Sequence, residues 1–297
     1  MGDKEWLADR FEEHRTHLRA VAYRLLGSLT EADDAVQEAW LRVSRSGTRD
    51  VENLGGWLTT IVARVALNLL RARKVRREES YGLHLPDPVV SRDGELQPEE
   101  EALLADSVGL ALLVVLDSLG PAERLAFVLH DVFQLPFDEI APMIGRTPAA
   151  ARQLASRARR RVQGMDIPGP DPDRSRQRAV VDAFFAAARA GDLDALLAVL
   201  DPEVVLRADF GLKHPGRSAV LRGATVVAQS ALTGAALAGA HVLPVLVNGA
   251  AGAVILVGER PFAVMGFIVA GGRISEIDAI ADPQRVRRIA APALRFA

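Results

Sequence analysis

The chain has 297 residues, 49% of them hydrophobic, no cysteine and a formal net charge of −2. That length suits two or three domains. The missing thiols exclude a disulfide framework and any thiolate metal site and fit a reducing compartment, and the near-neutral balance gives no overall pull toward nucleic acid.

The distribution of charge says more than its sum. Val62 to Arg77 carries six basic residues and no acid, and Arg146 to Met165 carries six arginines and no acid. Asp93 to Asp106 carries six acids and no base. All three Trp and both Tyr stand at or before Tyr81, whereas Gly and Val concentrate after Asp201. The N-terminal MGDKEWLADRFEEH lacks the apolar core of a signal peptide. The Ala/Gly/Val-rich stretch Ala224–Val257 is broken by Gly, Pro, Gln, His and Asn, so no membrane span is expected. The expectation is a soluble, cytoplasmic protein.

In chain order, Trp6, Leu7, Phe11, Leu18, Val21, Ala22, Leu25 and Leu26 recur at helical spacing, with Gly27 as the stop. Thr30 is expected to cap a second helix, with Asp33 in the capping-box position. That helix runs through Ala35, Val36, Ala39, Trp40 and Val43, and Gly47 to Gly56 reads as a loop. A third helix has Trp57, Leu58, Ile61, Val62, Val65, Ala66, Leu69 and Leu70 as its apolar face and an Arg/Lys run to Arg77. Periodicity stops from Glu78 to about Pro98, where Pro86, Pro88, Pro98, Gly82 and Gly94 mark a linker. Four helical segments follow: Glu99–Leu119, Pro121–Phe133, Phe137–Ile144 ending at Gly145, and one capped by Thr147 with Pro148 at its first position, reaching about Val162.

The Pro/Gly/Asp-rich GMDIPGPDPD from Gly164 to Asp173 reads as a hinge, and an α+β pattern follows it. Ala179–Arg189 and a segment from Gly191-Asp192 through Leu200 are helical, and Val204–Ala208 is a strand candidate. Gly223–Leu237 is a further helix. Val242–Val247, Ala253–Val257, Phe262–Ala270 and Arg273–Ile280 form a meander, with Asn248-Gly249 and Gly271-Gly272 as hairpin turns.

The strongest local signal is LPFDEIAPMIGRTPAAARQLASRARRRV, from Leu135 to Val162. Two short helices meet at a Gly-containing turn, and Ile140, Ala141, Ile144, Ala151, Leu154, Ala158 and Val162 form one apolar seam whose small residues allow a close crossing. Arg152, Gln153, Ser156, Arg157 and Arg160 then point outward. Arg reads guanine and Gln reads adenine bidentately, and Thr147 with the open N–H groups of the helix start suits a phosphate. A solvated helix would interleave the two signs of charge, and no acid stands among these arginines.

The second signal is GGWLTTIVARVALNLLRARKVRR. Its Trp and basic residues suit melted DNA, but a core Trp with a surface basic tail explains them equally well. The third is LTEADDAVQEAWLRV. Its acids favour the helix dipole, which alone accounts for them, while helical spacing also gathers Asp34, Gln37, Glu38 and Leu41 on one side.

In this order the three segments resemble the sigma-70 family, extracytoplasmic-function group, over about residues 8–163. DDAVQEAWLRV is similar to region 2.2, which in that family docks on the β′ clamp helices of RNA polymerase. WLTTIVARVALNLLRARKVRR resembles regions 2.3 and 2.4, which bind and melt the −10 element. SLGPAERLAFVLHDVFQLPFDEIAPMIGRTPAAARQLASRARRRV resembles region 4, which reads the −35 element and meets the β flap. The resemblance implies that Asp34, Gln37, Glu38 and Arg42 contact polymerase and that Trp57, Thr60, Arg64, Asn68 and Arg71 serve the −10 strand. It likewise implies that Arg152, Gln153, Ser156, Arg157 and Arg160 serve the −35 groove. Ala149-Ala150-Ala151 replaces a Gly-Thr-Val run common in the family.

The C-terminal third resembles the SnoaL-like branch of the cone-shaped α+β fold, as in a SigJ-like group of sigma factors in which this appendage acts in cis on sigma activity. A linker motif of that group corresponds to HLPDP, His84–Pro88, including Leu85 and Pro86. An appendage motif corresponds to DFGLK, Asp209–Lys213, and a late one to ADPQR, Ala281–Arg285. The implied fold class is multidomain: two all-α sigma domains followed by an α+β SnoaL-like domain. The boundaries are 1–80 for region 2, 81–98 for the linker, 99–164 for region 4, 165–173 for the hinge and 174–297 for the appendage.

Three functions compete: a promoter-specificity subunit of polymerase, a free-standing regulator using the helix-turn-helix alone, and an enzyme with a DNA-binding front end. The third needs a buried carboxylate with a proton donor. Asp209, Asp278, His214 and His241 are the only candidates near strands, and they form no convergent set, so neither catalysis, cofactor nor metal is expected. A small ligand in the cone remains an expectation. The appendage is expected to pack on the linker near His84–Pro88 and between the two DNA-binding domains. The acidic stretch 93–106 is expected either to screen a basic patch or to follow the polymerase RNA-exit path.

Overall fold

The computed structural model describes residues 3–46, 53–78, 83–92, 110–164, 171–211, 215–236 and 239–294. The acidic stretch 93–106, Lys213, His214 and most of the hinge lie outside them. The chain divides into two compact units. The first holds residues 1–79, 97–108 and 112–166, and the second holds 80–96, 109–111 and 167–297. No helix among the described residues is long and apolar enough to cross a membrane.

The first unit is helical. α1 (Asp3–Leu26), α2 (Leu29–Ser46) and α3 (Leu54–Glu78) bury Leu18, Val21 and Leu25 against Ala35, Val36, Ala39 and Val43 and against Leu58, Val62, Val65 and Ala66. Gly27, in the left-handed region, ends α1 as expected. The cap of α2 differs from the expectation. Ser28 rather than Thr30 holds the helix start, taking the N–H of Ala32 on its carbonyl and that of Glu31 on its hydroxyl. Asp33 instead pairs with Arg19 at 2.6 Å, because Ser28-Leu29-Thr30-Glu31 is itself a capping-box sequence that starts the helix one residue before Thr30. The loop before α3 ends at Asn53, whose side chain accepts from Gly56 N at 3.0 Å, so Gly55 and Gly56 are helical. The buried face of α3 includes Ala63 and Leu67, whereas Trp57, Ile61 and Leu69 are only half-buried.

α4 (Leu110–Asp117), α5 (Pro121–Phe127), α6 (Phe137–Ile144) and α7 (Pro148–Gln163) complete the unit. The expected helix Pro121–Phe133 is present, but its last turn, Val128–Val132, widens into a π-helix. At the α6–α7 crossing Ala151, Ala155 and Ala158 are fully buried, so Ala155 takes the place expected for the half-buried Leu154.

The two helical halves join through charge at the C-terminal end of α1, where orphan carbonyls attract cations. Arg73 of α3 donates to Leu26 O at 2.8 Å and pairs with Glu31. Arg124 of α5, 1% exposed, donates to Arg24 O at 3.3 Å and to Asp117 at 3.1 Å. Arg24 lies over Phe133, 5.0 Å from the ring centroid, and His17 meets the same ring edge-on at 5.4 Å.

The second unit is α+β. It comprises β1 (Val90–Ser91), α8 (Arg174–Ala190), α9 (Leu193–Val199), β2 (Leu200–Asp209), β3 (Ala219–Arg222), α10 (Ala224–Ala235), β4 (Ala240–Val247), β5 (Ala250–Val257), β6 (Arg260–Ala270), β7 (Arg273–Ile280) and α11 (Pro283–Leu294). The sheet order is β1-β4-β5-β6-β7-β2-β3, antiparallel except for the parallel pair β2–β7. The expected strands and both hairpin turns are present. β1, β3 and α11 were not expected.

One face of the sheet packs on α8, α9 and α10, with Val181, Leu196, Val204, Phe267 and Ile277 in the core. Phe184, Phe185 and Phe267 meet edge-on with centroids 5.3–5.7 Å apart. The apolar stripe of α11, Val286, Ile289, Ala290 and Ala293, packs toward β6 and β1. Elsewhere on the sheet, Glu276 and Asp278 of β7 share the single guanidinium of Arg207, at 2.7 and 3.1 Å. Burial pushes the Asp278 carboxyl up to about 6, against the pull of Arg207.

Two outcomes are expected. Arg124→Ala removes a buried cation from Asp117 and from the Arg24 carbonyl, and urea unfolding should show a loss of about 3 kcal/mol. For Asp278 the folded-state value of about 6 lies above the unfolded 3.8, so its stabilisation is complete below pH 3.8 and is lost as pH rises through 6. Asp278→Asn should therefore raise the thermal midpoint at about pH 8 and flatten its fall between roughly pH 4 and 6. An unchanged pH profile in differential scanning calorimetry would contradict this.

Candidate functional site

On α2, Asp34, Gln37, Glu38, Leu41 and Arg42 share one exposed face, with their opposites Ala35, Val36, Ala39 and Val43 in the core. Glu38 holds Arg42 at 2.9 Å across one helical turn. Leu41 is 42% exposed in the middle of this polar face.

On α3, Trp57, Thr60, Arg64, Asn68 and Arg71 recur every three or four residues and form a single stripe. The Thr60 hydroxyl donates to Gly56 O at 3.0 Å, and Arg64, Asn68 and Arg71 are exposed. Thr59, by contrast, is buried and turned inward, donating to Gly55 O at 2.8 Å. The stripe therefore carries a half-buried indole at one end and cations along the rest, a surface suited to stacking and phosphate contact.

On α7, Thr147 caps the helix by accepting from Ala150 N at 3.2 Å, and Pro148 occupies the first position. Arg152, Gln153, Arg157 and Arg160 are exposed and Ser156 is half-buried, on the side away from the alanine seam. One sequence argument needs correction. Three of the six arginines do have acidic partners, supplied by α5 and the π-turn. Arg159 holds Asp131 at 2.5 Å, Arg161 holds Glu123 at 2.9 Å, and Arg157 approaches Glu123 at 3.7 Å. Spacing within one helix cannot reveal partners 28 or more residues away. Arg146, Arg152 and Arg160 are exposed.

The second unit holds a site that sequence reasoning half identified. Asp209, at the end of β2, is 0% exposed. Its carboxylate accepts from Leu85 N at 2.8 Å and from Arg285 Nη1 at 2.6 Å, and its other oxygen accepts from Gly211 N at 2.8 Å. Gly211 has φ +79, and a Cβ there would overlap the Asp282 carboxylate. Asp282 caps α11 by accepting from Arg285 N at 2.8 Å. The Arg285 fork also grips Asp87 through Nε at 2.7 Å and Leu85 O through Nη2 at 2.5 Å. Arg288 adds a second bond to Asp87 at 2.9 Å, and His84 Nδ1 stands 3.2 Å from Arg285 Nη1.

Farther along, Asn248 takes Val89 N on its side chain at 2.7 Å and donates its own N–H to Val89 O at 2.8 Å. Val90 and Ser91 then pair with Val247 and Leu246 as an added edge strand. Leu85 to Ser91, Pro86 included, is buried.

Of the linker and appendage residues singled out from sequence, His84, Leu85, Pro86 and Asp209 come together, and Lys213 lies outside the described residues. Arg285 was seen only as the end of ADPQR, and Asp87 and Asn248 were missed as partners. The Asp-Pro start of an amphipathic helix, with Val286, Ile289, Ala290 and Ala293 at helical spacing, was the available signal for α11 and hence for Arg285. As acid–base candidates the two aspartates are committed elsewhere, Asp209 to the linker and Asp278 to Arg207, and His241 is exposed.

Comparison with known proteins agrees with this geometry. Residues 10–76 match the Sigma-70 region 2 family and residues 109–162 match Sigma-70, region 4. Over 288 residues the chain is 39% identical to the ECF RNA polymerase sigma factor SigJ of Mycobacterium tuberculosis, spanning 93% of this chain and 91% of that protein. The crystal structure of that extracytoplasmic function sigma factor superposes with a TM-score of 0.75 at 37% identity, covering 94% of this chain and 97% of the other. The helical face of α2, the stripe of α3, the helix-turn-helix of α6–α7 and the matched α+β unit all point the same way: the chain belongs to the extracytoplasmic-function sigma factors of the sigma-70 family, subunits that bind RNA polymerase core and promoter DNA.

Proposed function

We propose that this sigma factor directs initiation at a specific set of promoters in the cytoplasm and that its C-terminal α+β unit controls it in cis by holding the linker between regions 2 and 4. Asp34, Gln37, Glu38 and Arg42 meet the β′ clamp helices, and region 4 meets the β flap. Trp57, Thr60, Arg64, Asn68 and Arg71 serve the −10 strand. Arg152, Gln153, Ser156 and Arg160 enter the −35 groove, and Arg157, shared with Glu123, adds a phosphate contact at its edge.

The carrying observation is the clamp on residues 84–91. A linker that reads as irregular in sequence is bound along its length by Asp209, Arg285, Asn248 and the edge of β4. The N–H and C=O groups of Leu85 and Val89 are satisfied by the appendage, so release must break several buried polar contacts at once, each costly to leave unmade. The second support is the compact packing of regions 2 and 4. The two promoter elements lie about 25 base pairs apart, roughly 85 Å at 3.4 Å per base pair. Helices that touch through Arg24, Arg73 and Arg124 cannot read both, so reading a promoter requires this junction to open and the linker to extend.

A small ligand in the cone is a further part of the expectation. Phe184, Phe185 and Phe267 pack into one another at the centre of that layer, which favours control through the clamp without a ligand. The two carboxylates that the rival enzyme reading relied on, Asp209 and Asp278, are both paired with arginines.

Arg285→Ala should free the linker, seen as faster proteolysis between residues 80 and 92 while the circular dichroism of the fold persists. In transcription assays with core polymerase it should shift promoter output in the same direction as truncation after Asp173. Unchanged output from both variants would end the claim of cis control.

A further inference from the structure

An arginine on an exposed helix loses about 2 kcal/mol of rotamer freedom when it is fixed on a base edge. Orienting it beforehand lowers that cost and sharpens discrimination. In α7 the arginines are treated unequally. Arg157, Arg159 and Arg161 are drawn toward Glu123 and Asp131. Arg152 lies instead over an aromatic ring, its Cζ 5.4 Å from the centroid of Phe137.

Phe137 is itself held. The His130 ring stacks on it at 3.9 Å with a 30° tilt, and His130 Nδ1 is 2.9 Å from Leu135 O. His130 reaches this position because the helix widens at Val128–Val132. Phe133 N donates to Val128 O, five residues back, and Leu135 N to Leu129 O, six back. Gln134 turns the chain at φ 58. The same wide turn aims Asp131 at Arg159. One irregularity thus supplies both the acid that ties down a framework arginine and the ring stack that carries Arg152.

We propose that Phe137 is a positioning residue for promoter specificity: with His130 behind it, the ring holds the Arg152 guanidinium edge-on to the groove, so that it reads one guanine of the −35 element. The inference rests on the reading of α7 as the −35 helix. It adds that the preference at one base position is set by a residue of the preceding helix that touches no DNA. A merely structural Phe137 would alter affinity for all sequences alike.

The test uses the full-length chain with core polymerase and a promoter library randomised across the −35 element, followed by sequencing of bound DNA. Arg152→Ala should abolish guanine preference at one position. Phe137→Ala and Phe137→Leu, the second of which keeps apolar bulk, should each weaken that same preference roughly two- to fivefold, the scale of an exposed cation–π contact. They should leave the other positions and the salt dependence unchanged. Phe137→Tyr should behave as the parent. The positioning role fails if Phe137→Leu keeps the preference that Arg152→Ala loses, if both substitutions weaken every position equally, or if Phe137→Tyr matches Phe137→Ala. If Arg152→Ala changes no position, the −35 reading of Arg152 falls with it.

Discussion

The second unit is organised around one guanidinium. Arg285 sits at the start of α11 and binds Asp209 from β2, Asp87 from the linker and the carbonyl of Leu85. Arg's planar fork can satisfy several acceptors in fixed directions, which an ammonium cannot. Asp209 is fully buried and needs that cation, because an isolated carboxylate there would be prohibitively expensive. The linker needs both, because its backbone groups leave water when Leu85 to Ser91 is covered. A buried ion pair of this kind adds little net stability against an apolar substitute, yet losing one partner is costly. What it fixes is position: the segment joining two DNA-binding regions becomes part of a third domain's structure.

Arginine has a comparable job in the first unit. Arg73 and Arg124 converge on the C-terminal carbonyls of α1, one from region 2 and one from region 4. The junction thus includes specific polar contacts, with Phe133 against His17 and Arg24 beside them. On the stripe of α3 and the outer face of α7, Arg64, Arg71, Arg152 and Arg160 stand exposed.

Much of this was readable in the sequence because it is local. Helix 137–144, its Gly145 stop and the Thr147-Pro148 start of the next helix follow from propensity and capping, which act over a few residues. The four meander strands and their Asn-Gly and Gly-Gly turns follow from the two-residue period and from φ > 0 at the turns. Where two local signals competed, the outcome needed the structure. Ser28 outcompeted Thr30 because its hydroxyl takes the Glu31 N–H at the helix start, and Gly55 and Gly56 were drawn into α3 by the Asn53 cap despite their low helix propensity.

The sequence by itself determined the order of the domains and the residues that face outward on α2, α3 and α7, since periodicity and charge pattern suffice for these, and the resemblance of its motifs gave the family. Only the tertiary structure decided which arginines of α7 are committed to acids, that Asp209 is a buried anchor rather than a catalytic acid, and that residues 84–91 are held by the appendage with Val90 and Ser91 as an edge of its sheet. The reason is range. Arg285 and Asp209 are 76 residues apart, and Asn248 and Val89 are 159 apart. No periodicity connects such positions, and only packing brings their charges and hydrogen-bonding groups together.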